Sequence, residues 1–293
     1  MMSLSGENRS RLLQAIEAHG FEHASGYLLR TAKQIVALSK KEADRYPQIG
    51  NSRIGGEPDL PEMLEWPTDS DGDLMSFVLQ LNAAELEDTE RRLPTEGVLF
   101  FFVGDYGLEV EHRVLYASAR QMEGARRTAA PGELKLEENG PYRPFKLNAQ
   151  SSLELPGYAY VDEEAVESEE HGWEEYEDLN FALHEEDERP VVKMFGYAEG
   201  QHGDDEYMAA LELFGCESTY DPTEAIERLA GALGGDPELA RREVADILML
   251  AEIDSDDDVG FMWGDAGVLH FFIRKEDLLR GRFDRTYCSY YSS

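Results

Sequence analysis

Residues 247–274 read Ile247-Leu248-Met249-Leu250-Ala251-Glu252-Ile253-Asp254-Ser255-Asp256-Asp257-Asp258-Val259-Gly260-Phe261-Met262-Trp263-Gly264-Asp265-Ala266-Gly267-Val268-Leu269-His270-Phe271-Phe272-Ile273-Arg274. Two apolar runs of strand length, Ile247–Ile253 and Val268–Ile273, flank an acidic, glycine-bearing loop. An earlier stretch is built alike: Leu79-Gln80-Leu81-Asn82, then Gly97-Val98-Leu99-Phe100-Phe101-Phe102. Asn82 and Gly97 stand 15 positions apart, Asp254 and Gly267 13 apart, and five of six positions match across the second strand. A glycine-bearing turn precedes each, Ile54-Gly55-Gly56-Glu57-Pro58 and Met194-Phe195-Gly196-Tyr197-Ala198. The pattern predicts two copies of one strand–loop–strand unit, in one sheet or in two related halves.

Outward from these runs, strands are expected at Leu74–Leu81, Gly97–Val103, Arg113–Ala117, Ser152–Val161, Val191–Phe195 and Thr286–Tyr291. Helices are expected at Arg9–His19, at Ala24–Tyr46 (Leu28, Ala32, Ile35, Val36 and Ser39 at helical spacing), at Tyr207–Phe214 and at Pro222–Leu233, with a turn at Lys275–Arg280. Asp221 caps the Pro222 helix, whose first position is a proline. Residues 119–140 read as loop. The predicted class is α+β: N-terminal helices, then a mixed, mostly antiparallel sheet in two related halves. The expected divisions are a helical segment 1–48, a first half 49–161, an acidic insertion 162–190 and a second half 191–293, together one domain.

The chain of 293 residues carries 27 Lys and Arg against 61 Asp and Glu, a net charge of −34. Such a field repels nucleic acid and anionic membrane and attracts cations or basic proteins. No apolar run approaches the roughly 18–20 residues of a spanning helix. No secretory signal is visible, and two cysteines, Cys216 and Cys288, are too few for a disulfide framework. A cytoplasmic protein is expected.

Residues 151–221 hold 22 acids and 2 bases, and 162–188 hold 14 acids and no Lys or Arg. Trp173, Tyr176 and Leu179 recur at helical spacing inside that block, which predicts an amphipathic helix lying on a core. Its acids and aromatics, Glu163, Glu164, Glu169, Glu170, Trp173, Glu174, Glu175 and Tyr176, are the candidate contacts for a basic protein. Asp254, Asp256, Asp258 and Asp265 echo a calcium loop, but Val259 stands where its glycine belongs, so the segment reads as a turn with Asp side chains capping backbone N–H groups. No metal and no cofactor is expected. Trp263 between those acids, with Trp66, forms a candidate pocket for a small molecule or cation. His270 reads as a core residue, and His202 with Asp204, Asp205 and Glu206 as a solvated turn. No nucleophile elbow or Walker loop is present.

Ile54-Gly55-Gly56-Glu57-Pro58-Asp59-Leu60-Pro61 with Trp66-Pro67 resembles a signature of the YwqG-like family. So do Leu93-Pro94 before the Gly97 strand, Phe195-Gly196-Tyr197-Ala198 with Gln201, and Glu252-Ile253-Asp254-Ser255-Asp256 leading to Gly260-Phe261-Met262-Trp263-Gly264-Asp265-Ala266-Gly267. The resemblance covers residues 49–116 and 191–291. Glu252 stands where that family usually has Gln, and Ala198 where it usually has Pro. The resemblance implies a bacterial α+β domain of unknown function in two related halves, with no reaction or catalytic residue to transfer, and a loose association with toxin–immunity neighbourhoods. Two functions follow as expectations. The first is a non-enzymatic, immunity-type inhibitor of a basic protein. The alternative is a small-molecule or cation-binding domain around Asp254, Trp263 and Asp265, with an uncharacterised hydrolase a distant third.

Overall fold

A computed structural model describes residues 4–88, 90–106, 110–137, 140–184, 190–200 and 203–292. Gln201, His202 and the acids Glu185–Glu188 named above lie outside the described residues. The chain runs α1 (Gly6–His19), α2 (Ser25–Thr31), β1 (Lys33–Ala43), β2 (Arg53–Ile54), β3 (Asp59–Leu60), β4 (Ser76–Asn82), β5 (Val98–Tyr106) and β6 (Val110–Ala117). There follow α3 (Ala119–Met122), β7 (Arg126–Arg127), β8 (Phe145–Glu154), α4 (Glu163–Val166), α5 (Trp173–Ala182) and β9 (Val192–Met194). The last elements are α6 (Asp205–Leu213), α7 (Pro222–Ala232), α8 (Pro237–Ala245), β10 (Ile247–Asp254), β11 (Val268–Arg274), α9 (Lys275–Leu279) and β12 (Thr286–Tyr291).

Ten strands form one sheet in the order β12-β11-β10-β9-β1-β8-β2-β4-β5-β6. Every described pairing is antiparallel, so the α+β class holds while the expected mixture of strand directions does not. β4 pairs with β5 through a one-residue irregularity between Phe77 and Leu79, and β10 with β11 through one between Met249 and Ala251. The sheet curls until its edge strands meet. His112 Nε2 of β6 lies 3.0 Å from Thr286 Oγ1 of β12, and the Phe101 and Phe271 rings stand 5.2 Å apart, edge to face. The enclosed core takes Val36, Leu38, Leu99, Leu269 and Trp263 among others.

Three covers lie outside the curl. α1, α2, α4 and α5 pack over Leu153 and Leu155. α6–α8 pack over Ile247, Met249 and Phe272, while Leu60 and Trp66 cover Phe77, Phe100 and Phe102. Core on one face and cover on the other explain the uninterrupted apolar run of β5, in which successive side chains serve opposite layers. A fully buried Phe contributes roughly 1.5–3 kcal/mol.

The predicted helix over Ala24–Tyr46 is corrected: it stops at Thr31, and β1 follows. β1 is central and buried on both faces from Gln34 to Ser39, so its sequence shows no period of two and imitates helical spacing. Ile35 and Val36, branched at Cβ, favour the strand. The expected 1–48 segment thus contributes β1 between β9 and β8 in the middle of the sheet. The strand predicted at Ser152–Val161 is β8, which begins at Phe145 and ends at Glu154, ahead of Pro156. The predicted loop 119–140 holds α3, closed by a Ser118–Gln121 capping box, and β7. α8 was not anticipated, although Asp236-Pro237 repeats the Asp221-Pro222 start of α7.

Candidate functional site

The acidic loop after β10 is held by a lysine. Lys40 Nζ of β1 lies 2.7 Å from Asp256 and 2.8 Å from Asp258. Burial works against the ammonium, but the two carboxylates outweigh it and raise its pKa. Asp256 Oδ1 also accepts from Val259 N–H at 2.9 Å, the turn geometry expected of the segment. Ser255 Oγ accepts from Trp263 N–H and donates to Gly267 carbonyl. Asp254 is half-buried at the end of β10 and Asp265 is exposed. Among the described residues, no group of three or more His, Cys, Asp or Glu is arranged to hold a metal.

Trp263 is buried in the inner core against Phe261, ring centroids 4.9 Å apart. Trp66 packs in an outer cover, edge-on to Phe102, its Nε1 donating to Met75 carbonyl. The two tryptophans therefore belong to different layers. In the acidic block, Glu163, Glu164, Glu169, Glu170, Glu174 and Glu175 are all exposed. Tyr176 is buried, its hydroxyl donating to Pro156 carbonyl at 2.8 Å, and Trp173 is half-buried beside it. Trp173, Tyr176 and Leu179 of α5 face the core beneath the helix, as its amphipathic pattern predicted, while Phe181 points outward.

Two polar constellations interrupt the sheet. In the first, Arg53 of β2 is fully buried, with Asp44 at 3.0 Å and Asp59 at 3.1 Å. Arg127 adds a 2.7 Å bond to Asp59, and Gln80 of β4 donates to the same carboxylate. Burial raises both acids, but the guanidiniums and N–H donors around them hold each below the usual carboxylate range. Arg53 Nε is left without a hydrogen-bond partner, and the side chains of Arg53, Asp44 and Asp59 are closed to solvent.

In the second, Lys193 of β9 bridges Glu154 of β8 at 2.6 Å and Glu252 of β10 at 2.9 Å. His270 Nε2 lies 3.1 Å from Glu252. Burial would raise Glu252, but Lys193 and His270 hold its carboxyl at about 2. Here the charges border open space. Cavities of about 310 and 230 Å³ are both lined by Glu154 and Lys193. A larger cleft of about 480 Å³ adjoins the first of them through Tyr160.

That larger cleft lies between the sheet and α6–α8. Its apolar wall is Ile226, Val244, Leu248 and Met249, and its polar groups are Lys33, Tyr160, Glu206 and Arg241. Lys33 Nζ donates to Gly196 carbonyl at 3.1 Å and sits 3.7 Å from the centre of the Tyr197 ring. Tyr160 donates to Glu206 at 2.9 Å. Burial lowers Lys33 and raises Glu206, each away from its charged form. Phe195, in the cleft wall, has φ +66°, a conformation an aromatic side chain rarely takes. Its N–H bonds Met249 carbonyl at 2.7 Å, and the Arg92 guanidinium stacks on its ring at 3.7 Å. Shifted titration in a cleft beside a strained residue makes this cleft the candidate functional site.

Residues 52–291 match the family described as Domain of unknown function (DUF1963). The chain belongs to that family. No curated protein matches it. The DUF1963 match takes in both polar constellations apart from Asp44, and every named residue of the large cleft except Lys33, which β1 supplies from before it. Sequence reading missed this cleft because its residues come from five separate helices and strands and from the loops that carry Tyr160 and Phe195. The one local signal was the Phe195-Gly196-Tyr197 turn.

Proposed function

We propose that this DUF1963 protein is a non-enzymatic binding domain that takes an amphipathic small molecule in the cleft over β1, β9 and β10. The observation that carries the reading is the cleft itself. Four aliphatic side chains form one wall, and Lys33, Tyr160, Glu206 and Arg241 offer donors and acceptors opposite. Its location differs from the Asp254–Trp263–Asp265 site, where Lys40 already fills the acidic turn and Trp263 is core. The probe that tests it is 1-anilinonaphthalene-8-sulfonate, followed by fluorescence. One saturable site is expected, lost in Ile226→Trp, which fills the cleft from α7. Equal binding by both proteins, or none by either, overturns the reading.

A second reading keeps the acidic face as a docking surface for a basic partner, of the immunity type. It is supported by the six exposed glutamates and by Phe181, 68% exposed among them on α5. Converting Glu163, Glu164, Glu169, Glu170, Glu174 and Glu175 to Gln is expected to abolish oligolysine binding at low salt. Unchanged binding by that variant removes the reading. Free Cys216 and Cys288 suit a reducing, cytoplasmic setting in a bacterium.

We also read the chain as a YwqG-like member whose sheet is two copies of one unit with their first strands exchanged. Support comes from the strand order, in which β1-β9-β10-β11-β12 mirrors β8-β2-β4-β5-β6. The register irregularity falls at Val78 and at Leu250, equivalent places in the two sequence copies. Gly55 and Phe195 take the same left-handed turn conformation, and Arg53 pairs opposite Gln80 as Lys193 does opposite Glu252.

A further inference from the structure

We propose that Lys33 is a nucleophilic amine that captures carbonyl compounds in the large cleft as a reversible imine. The inference rests on the cleft being a ligand site and names the chemistry of its ligand: an amphipathic aldehyde or ketone.

Pairing sets Lys33 apart from the other lysines. The chain has seven. Lys40, Lys135, Lys146, Lys193 and Lys275 each have a carboxylate in contact. Lys41 lies exposed on the surface. Lys33 is partly buried in the cleft with no carboxylate in contact among the described residues; its neighbours are a carbonyl oxygen and the face of Tyr197. Burial works against a charged ammonium there and outweighs the more distant Glu206 and Glu154 carboxylates, so Lys33 gives up its proton more readily than an exposed lysine. A desolvated amine with an apolar wall beside it is the arrangement that activates lysine toward carbonyl groups.

The step balances with groups already in the cleft. The Nζ lone pair attacks the carbonyl carbon, and the C=O π electrons move to oxygen. Glu206, whose pKa burial raises, gives that oxygen a proton and takes one from nitrogen. The carbinolamine then loses its hydroxyl as water, with a second proton from Glu206, and the nitrogen lone pair forms C=N. The last N–H proton returns to Glu206. One amine and one carbonyl give one imine and one water, and nothing is oxidised or reduced. Tyr160, bonded to Glu206 at 2.9 Å, fixes that carboxyl in the cleft. No leaving group or second substrate is needed, so the result is capture and release rather than turnover.

The experiment is competitive labelling of the intact protein with benzaldehyde and cyanoborohydride near neutral pH, read by peptide mapping. Each lysine gives its own rate, so the other six serve as internal references. Lys33 is expected to be benzylated at least about tenfold faster than exposed Lys41, because more of its amine is unprotonated. Glu206→Gln slows Lys33 alone. Lys33→Arg removes the fast adduct while keeping the melting temperature, which separates reactivity from structural support of the Gly196 turn. Labelling of Lys33 no faster than Lys41 overturns the inference. Should Lys33 lag while the anilinonaphthalene probe binds and is lost in Ile226→Trp, the capture chemistry fails and the binding site stands. Should Lys33 label rapidly with no probe binding, the amine is reactive and the wider ligand reading fails.

Discussion

Replacing Glu252 with Gln tests the logic of the second polar constellation. Glu252 is 3% exposed, 2.9 Å from Lys193 and 3.1 Å from His270, and accepts from Glu199 N–H at 3.0 Å. Its carboxyl is held at about 2 against an ordinary 4.5. That gap corresponds to about 3 kcal/mol favouring the folded state when the group is ionised. The folded pKa lies below the unfolded one, so the contribution is fully present above about 4.5 and is lost as pH falls toward about 2. Gln cannot ionise. It keeps an acceptor for Glu199 N–H but leaves Lys193 with Glu154 as its one carboxylate. A buried pair stripped of its whole partner costs about 3–5 kcal/mol, so the retained glutamate limits the loss to roughly 2–3 kcal/mol at pH 7. Urea unfolding of both proteins from pH 7 down to pH 3 measures it. The wild-type advantage should shrink steadily below about pH 4.5. A variant as stable as wild type at pH 7, or a difference that does not change with pH, refutes the assignment of Glu252 as a working charge.

Three further outcomes follow from the fold. Lys40→Met leaves Asp256 and Asp258 facing each other without their cation, so millimolar calcium should raise the melting temperature of that variant and not of the wild type; equal shifts would show that the ammonium does not occupy the turn. Gly55→Ala places a Cβ against Arg143 carbonyl at φ +68°, so a loss of more than about 2 kcal/mol is expected by urea unfolding, and a neutral result would mean the turn relaxes freely. Fragments 1–139 and 140–293, each lacking a strand that the other supplies to the sheet, should be unfolded alone and regain antiparallel circular dichroism when mixed. Independent folding of either fragment would remove the exchanged-strand reading.

The sheet was legible where apolar runs were short and bounded, as at β5, β10, β11 and β12. Those runs cannot extend into helices, and Gly97 and Gly267 mark their starts. β1 was not legible, because Ile35, Val36, Ala37 and Leu38 are buried together. A strand sealed on both faces loses the alternation that identifies strands, and Leu28, Ala32, Ile35 and Val36 at mixed spacing fit a helix as well. The acidic helix α5 was legible from Trp173, Tyr176 and Leu179, whose spacing reports the core beneath it. The cleft was not, for a different reason. Lys33, Tyr160, Gly196, Glu206 and Arg241 meet only through the sheet order and the cover of α6–α8, and no local pattern encodes that meeting. Carboxylates gave no help: among 61 of them, the one beside Lys33 carries no mark in the sequence.

The two polar constellations explain why the cleft opens where it does. Gly55 and Phe195 both stand in left-handed backbone conformation. At Gly55 the absence of a side chain lets the backbone close on Arg143 and Val259, and Arg53 behind it is sealed with Asp44 and Asp59. At Phe195 a buried aromatic side chain stands in that conformation, with the Arg92 guanidinium stacked on its ring. Its strain is held by one backbone bond to Met249, and the chain beyond it forms the floor on which Lys33 rests. A glycine at position 195 would release the strain, and by this reasoning it would also collapse the floor. The strained residue is therefore tied to the cavity rather than to stability, and the cost of holding Phe195 left-handed, roughly 1–3 kcal/mol, goes into keeping a partly dry lysine beside open space.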